Sequence, residues 1–143
     1  MSASEEAIKR ERLEAVGRAI IEHGGSEAEA RFAEEFLQRV PADELAAAAI
    51  ESLAALARGM REFASQRSPG EARIRAWNPE RERDGWDCQH TVVEIINDDM
   101  PFLVDSVVLA LTRLGISAQL IIHPVLKIRR DQGGHWLELC PPQ

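Results

Sequence analysis

The sequence predicts an α+β chain in which a three-helix N-terminal region packs on a partial antiparallel sheet. Three observations carry this. Apolar residues recur at helical spacing through residues 1–67, Ser68-Pro69-Gly70 interrupts the pattern, and β-branched runs separated by turn residues follow it. The boundaries implied are a helical cap or bundle over 1–67 and an α+β unit over 71–143.

Ile8, Leu13, Val16 and Ile20 form the stripe of a first helix that stops at Gly24-Gly25. Ser26 then opens Ser-Glu-Ala-Glu, the pattern of a capping box in which the Ser26 hydroxyl and the Glu29 carboxylate satisfy each other's free amides. Phe32, Phe36, Leu37 and Val40 supply the buried side of that second helix. After Pro41 the spacing predicts one long helix from Asp43 to Gln66, with Leu45, Ile50, Leu53, Leu56, Met60 and Phe63 on one face. Charged residues such as Arg58, Arg61 and Glu62 read as its solvated side.

Beyond the break, Glu71–Trp77 alternates as a strand, and a charged surface loop leads to His90–Asn97, apolar on both faces as a central strand is. A helix is predicted over Phe102–Leu114, closed by Gly115 as its C-terminal cap. Its stripe Leu103, Val107, Leu111 and Leu114, with Phe102, is expected against the sheet, together with Val93, Ile95, Leu120 and Ile122. Ile116–Ile122, continuing through Val125–Arg130, reads as a third strand, and Asp131-Gln132-Gly133-Gly134 turns it into a last one over His135–Cys140. With only Pro141-Pro142-Gln143 following, the sheet is expected to be unfinished.

The formal charge of −7, from 24 acidic and 17 basic residues, is spread over both halves and repels phosphate backbones and anionic membranes. Nucleic acid and membrane are therefore excluded as partners. The charged start lacks a signal peptide's pattern and Cys88 and Cys140 read as free thiols, so a cytoplasmic setting is expected. Cys88, His90, His123, His135 and Cys140 lack ligand-pair spacing, Ser106 sits in no nucleophile elbow, and the paired glycines belong to no nucleotide motif. No catalytic residue, metal or cofactor is assigned to this stretch.

The candidate site is the loop Asn97, Asp98, Asp99, Met100, Pro101 and Phe102. The adjacent carboxylates diverge too readily to make a metal pair, and the simpler reading is that one caps the following helix. Free amides at that helix start attract a carboxylate, and Asp98 or Asp99 would receive an ammonium, so an amino acid fits the loop chemically.

The run NDDMPFLVDSV (97–107) and the later IHPVLKIRRD (122–131) resemble the N-terminal region of the large NAD-specific glutamate dehydrogenases of bacteria. The resemblance implies an ACT-type, ferredoxin-like βαββαβ module, whose first strand-to-helix loop commonly binds amino acids, completed beyond Gln143. It implies strand 135–140 lying between 90–97 and 116–130, with 71–77 expected antiparallel on the outer side of 90–97. For the parent enzyme it implies oxidation of L-glutamate by NAD to 2-oxoglutarate, ammonia and NADH, with NAD held elsewhere. Two roles follow for the segment: a regulatory domain sensing a small amino acid effector, or an assembly module bound to the remainder of the enzyme in a homo-oligomer. Where such loops carry Pro-Gly this one has Pro101-Phe102, which favours assembly.

Overall fold

The computed structural model describes residues 2–141; Pro142 and Gln143, at the end of the expected unfinished sheet, lie outside it. Four helices come first: α1 (Ala3–Glu22), α2 (Glu27–Leu37), α3 (Ala42–Ala47) and α4 (Ile50–Phe63). Strand β1 (Arg73–Trp77), the short α5 (Arg81–Asp84), β2 (Val92–Ile96), α6 (Leu103–Arg113), β3 (Ile128–Arg130) and β4 (Trp136–Leu139) follow.

Helices α1, α2 and α4 pack by the stripes the sequence predicts, except that Ile8 of the α1 stripe is exposed. Val16, Ile20, Leu37 and Leu45 are fully buried, with Leu13, Phe32, Phe36, Leu53 and Ala57 around them. Each large side chain removed from water contributes about 1.5–3 kcal/mol, which makes this cluster the main source of stability. Ser26 caps α2 by accepting from the Glu29 amide at 3.1 Å, but the reciprocal half of that box does not form, because Glu29 turns to Arg58 at 3.0 Å. The complete capping box is at Ser2 and Glu5.

The long helix expected over 43–66 is two helices. Ala48 and Ala49 are extended, with ψ of 148° and 139°. Alanine does not break helices by itself; the break is held by Arg12 of α1, which donates to the carbonyls of Leu45 and Ala48. Those carbonyls would otherwise lack a partner at the end of α3.

Strands β1 and β2 pair antiparallel, Arg73 opposite Ile96 through Trp77 opposite Val92, as expected for this pair. Within it Glu94 is buried, its Oε1 accepting from Arg75 Nε at 2.6 Å and Trp77 Nε1 at 2.7 Å. The rest of the expected strand order does not occur. β4 pairs with β3 in a separate two-stranded sheet, so β2 has a single neighbour and is not central. The other side of β4 is taken by the chain just after α4: Trp136 N donates to Ser65 O at 2.8 Å, Arg67 N to Gly134 O at 2.9 Å, and Gln66 bridges His135. An edge occupied in this way cannot also accept β2.

Residues 116–127 are not a strand. Ile122 and Leu126 nevertheless lean on the helical core beside Ile128 and Trp136. Leu139 is buried in that core, Phe32 meets Trp136 edge-on at 5.5 Å, and Arg31 donates to Leu139 O at 2.9 Å. The helices thus cover the β3–β4 hairpin, and α4 meets β1 where Arg73 donates to Phe63 O at 2.7 Å.

The burial expected around α6 is not found. Phe102 and Leu114 are 76% and 75% exposed, Val93 and Leu120 are also exposed, and Leu103, Val107 and Leu111 are half-buried. Among the described residues α6 has no extensive contact with another element. Its apolar stripe is present, but the sheet it was expected to cover does not form beneath it.

Candidate functional site

The loop from Asn97 to Phe102 joins β2 to α6. Asn97 Nδ2 lies 3.7 Å from the Met100 sulfur. Asp98 is bound by Arg67, whose Nη2 donates to its Oδ1 at 2.8 Å. That contact ties the loop to the segment following α4. Arg67 has no signature in the sequence; its role comes from the β1–β2 register, which sets Arg73 at the start of β1 opposite Ile96 at the end of β2 and so brings the residues before β1 near those after β2.

Neither aspartate caps α6. The N-cap is Phe102, and among the described residues no cap side chain bonds to the first-turn amides. Those amides stay free, as the sequence-based reading of an anion-attracting helix start requires, while Asp99, Met100 and Pro101 stand exposed beside them.

Phe102 is the only non-glycine with positive φ among the described residues, at φ 63° and ψ 15°. The left-handed region costs a residue with a Cβ roughly 1–2 kcal/mol, and glycine normally occupies it. A large aromatic therefore sits where the backbone favours glycine, and it points into solvent. At the other end of α6 the chain does use glycine. Gly115, at φ 77°, closes the helix as predicted, its amide donating to Thr112 O at 3.0 Å and that of Ile116 to Leu111 O at 2.9 Å.

From the loop through α6 and the segment after it, Met100, Phe102, Leu109, Leu114, Ile116, Leu120 and Ile121 are exposed apolar side chains. Two open grooves lie elsewhere, one of about 390 Å³ between α1 and α2 and one of about 560 Å³ between α1 and α3. Among the described residues no three His, Cys, Asp or Glu side chains are grouped to hold a metal, and no helix is long and apolar enough to cross a membrane.

Residues 32–143 match the model of the family described as glutamate dehydrogenase, ACT1 domain. The chain belongs to that family. The ACT1 match takes in most of α2 and everything after it, including the whole 97–102 loop and α6. The NAD-specific glutamate dehydrogenase of Pseudomonas aeruginosa is 34% identical over 110 residues, 77% of this chain and 7% of that protein. That of Halomonas elongata is 33% identical over 112 residues, 78% of this chain and again 7% of the relative. The chain thus spans a small fraction of the curated relatives it matches. No solved structure matches it.

Proposed function

We propose that this chain is a non-catalytic N-terminal segment of an NAD-specific glutamate dehydrogenase and that it docks onto the remainder of that enzyme through α6 and Phe102. The observation that carries the reading is Phe102 itself, 76% exposed in a backbone conformation that favours glycine. Strain of this kind persists where a side chain is needed in one place, and an aromatic held clear of its own domain is the usual anchor of a protein interface. The occupant is the parent polypeptide, since the relatives extend far beyond the matched stretch. The parent reaction is L-glutamate and NAD to 2-oxoglutarate, ammonia and NADH, with NAD and the reacting residues outside this segment, in a cytoplasmic homo-oligomer.

The test is calorimetric titration of residues 1–143 into the parent enzyme lacking them. Phe102→Asp should weaken the complex by at least about 2 kcal/mol, roughly thirtyfold in affinity. No complex, or one indifferent to Phe102→Asp and Leu114→Asp, would remove the docking reading.

A second reading is supported by the uncapped start of α6: an amino acid effector whose carboxylate meets the free amides and whose ammonium meets Asp99. Titration of the chain with a panel of amino acids into the millimolar range tests it, and a flat response rules it out for Asn97–Phe102.

A further inference from the structure

We infer that Arg61, Arg67, Arg73 and Arg130, gathered where the end of α4 meets β1 and the β3–β4 hairpin, form a binding site for a small, multiply charged oxyanion. The geometry that gathers them is local and shared. Arg61 lies 3.9 Å over the Trp136 ring and Arg130 lies 5.8 Å from the same ring. Arg130 Nη1 and the Arg67 amide both donate to Gly134 O, at 3.0 and 2.9 Å. Arg73 Nη1 donates to Gln66 O, next to Arg67, at 2.8 Å.

The chain as a whole is acidic, so this concentration of like charge is not a general property of its surface. It is also poorly compensated. Among the described residues the four arginines have one ion-pair partner, Asp98 on Arg67. Glu29 is near Arg61 but is bound by Arg58 at 3.0 Å. Stacking and capping explain part of the arrangement, since Arg73 bonds Phe63 O at the end of α4 and Gln66 O just past it, and Arg67 Nε donates to Glu71 O. Among the described residues they leave Arg61 with no hydrogen-bond acceptor and Arg130 with one carbonyl.

Burial first, and then Arg67, Arg61 and Arg73, push the Arg130 guanidinium below its ordinary range; burial does the same to Arg61. The protein therefore holds these cations against both desolvation and mutual repulsion. The open donors of Arg61 and Arg130, planar guanidinium forks in a partly dry setting, match the paired oxygens of carboxylate or phosphate groups, with Arg67 and Arg73 adding charge beside them. A ligand with two negative charges would relieve the repulsion as well as fill the donors.

The experiment is thermal unfolding of residues 1–143 at fixed ionic strength in chloride, in inorganic phosphate and in succinate. Phosphate or succinate should raise the melting temperature saturably above the chloride control. A response to phosphate alone assigns the site to phosphorylated ligands, and one to succinate alone to dicarboxylates. Arg130→Gln should weaken the apparent affinity at least about tenfold, the cost of losing a charge-assisted hydrogen bond. Arg61→Gln should do the same and, having no hydrogen bond to lose, reports if Arg130→Gln does not fold. Arg129→Gln, on the same strand but paired with Glu138, should keep the full response. No saturable rise with either anion, or a rise unchanged in Arg61→Gln and Arg130→Gln, overturns the inference.

Discussion

Replacing Phe102 by glycine separates the needs of this domain from those of its partner. In the chain alone three effects compete. Relief of the left-handed backbone returns about 1–2 kcal/mol. Glycine's greater freedom in the unfolded chain removes about 0.5–1 kcal/mol of that. Full burial of a phenylalanine is worth roughly 1.5–3 kcal/mol, and at 76% exposure only about a quarter, near 0.5 kcal/mol, is lost. The net effect lies between a loss of about 0.5 and a gain of about 1 kcal/mol. Urea unfolding followed by tryptophan fluorescence measures it, because Trp86 is buried and Trp136 packs on the helical core. Phe102→Ala keeps the strain and should cost about 0.5 kcal/mol. If Phe102→Gly instead costs more than about 2 kcal/mol, the ring is buried within the isolated chain and the reasoning about α6 fails.

The burial pattern makes a paired prediction: Leu45→Ala, at a fully buried position, should cost about 2–5 kcal/mol, whereas Leu111→Ala, half-buried on α6, should cost about 1 kcal/mol or less. Equal losses in the same urea titration would place α6 in the core. Gly134→Ala should detach the hairpin, since its Cβ would stand 2.1 Å from Arg67 O at a φ of 83°; near-normal urea stability would show that β4 does not depend on this approach. Burial, and then Glu14, raise the Glu34 carboxyl above its ordinary value. A raised folded pKa contributes stability below the unfolded pKa and loses it as pH rises through the folded value, so Glu34→Gln should be more stable than the parent at neutral pH and lose that advantage in acid. A stability difference that does not change with pH would show that Glu34 is not the group responsible.

Side-chain periodicity revealed those parts of the fold that depend on it. The stripes of α1, α2 and α4, the β1–β2 pairing and the glycine closing α6 all express a local pattern of apolar or conformationally permissive residues. What escaped was set by backbone groups meeting over long separations. Arg12 splits α3 from α4 through carbonyls 33 and 36 residues away, and nothing in the alanine run announces it. The main chain of Ser65–Arg67 takes the edge of β4, and main-chain donors carry no sequence signature. The apolar character of 116–122 is real, but pairing needs a neighbour, and it has none here.

The candidate loop was legible because Asp98, Asp99 and Pro101 precede a helix start. Its conformation was not, because an αL phenylalanine runs against local preference. Arg61 reads as one more solvated charge on a helix, and only the return of the β3–β4 hairpin brings Trp136 beneath it.

Hydrogen exchange across α6 tests the docking account most directly. In residues 1–143 alone the amides of Val107–Leu111 should exchange much faster than those of Ala33–Leu37 in the core, since among the described residues α6 has no extensive contact with another element. In the full-length enzyme the same α6 amides should slow several-fold, while those of α2 change little. Equal exchange of α6 in both settings would contradict the claim that this face is covered by the rest of the protein.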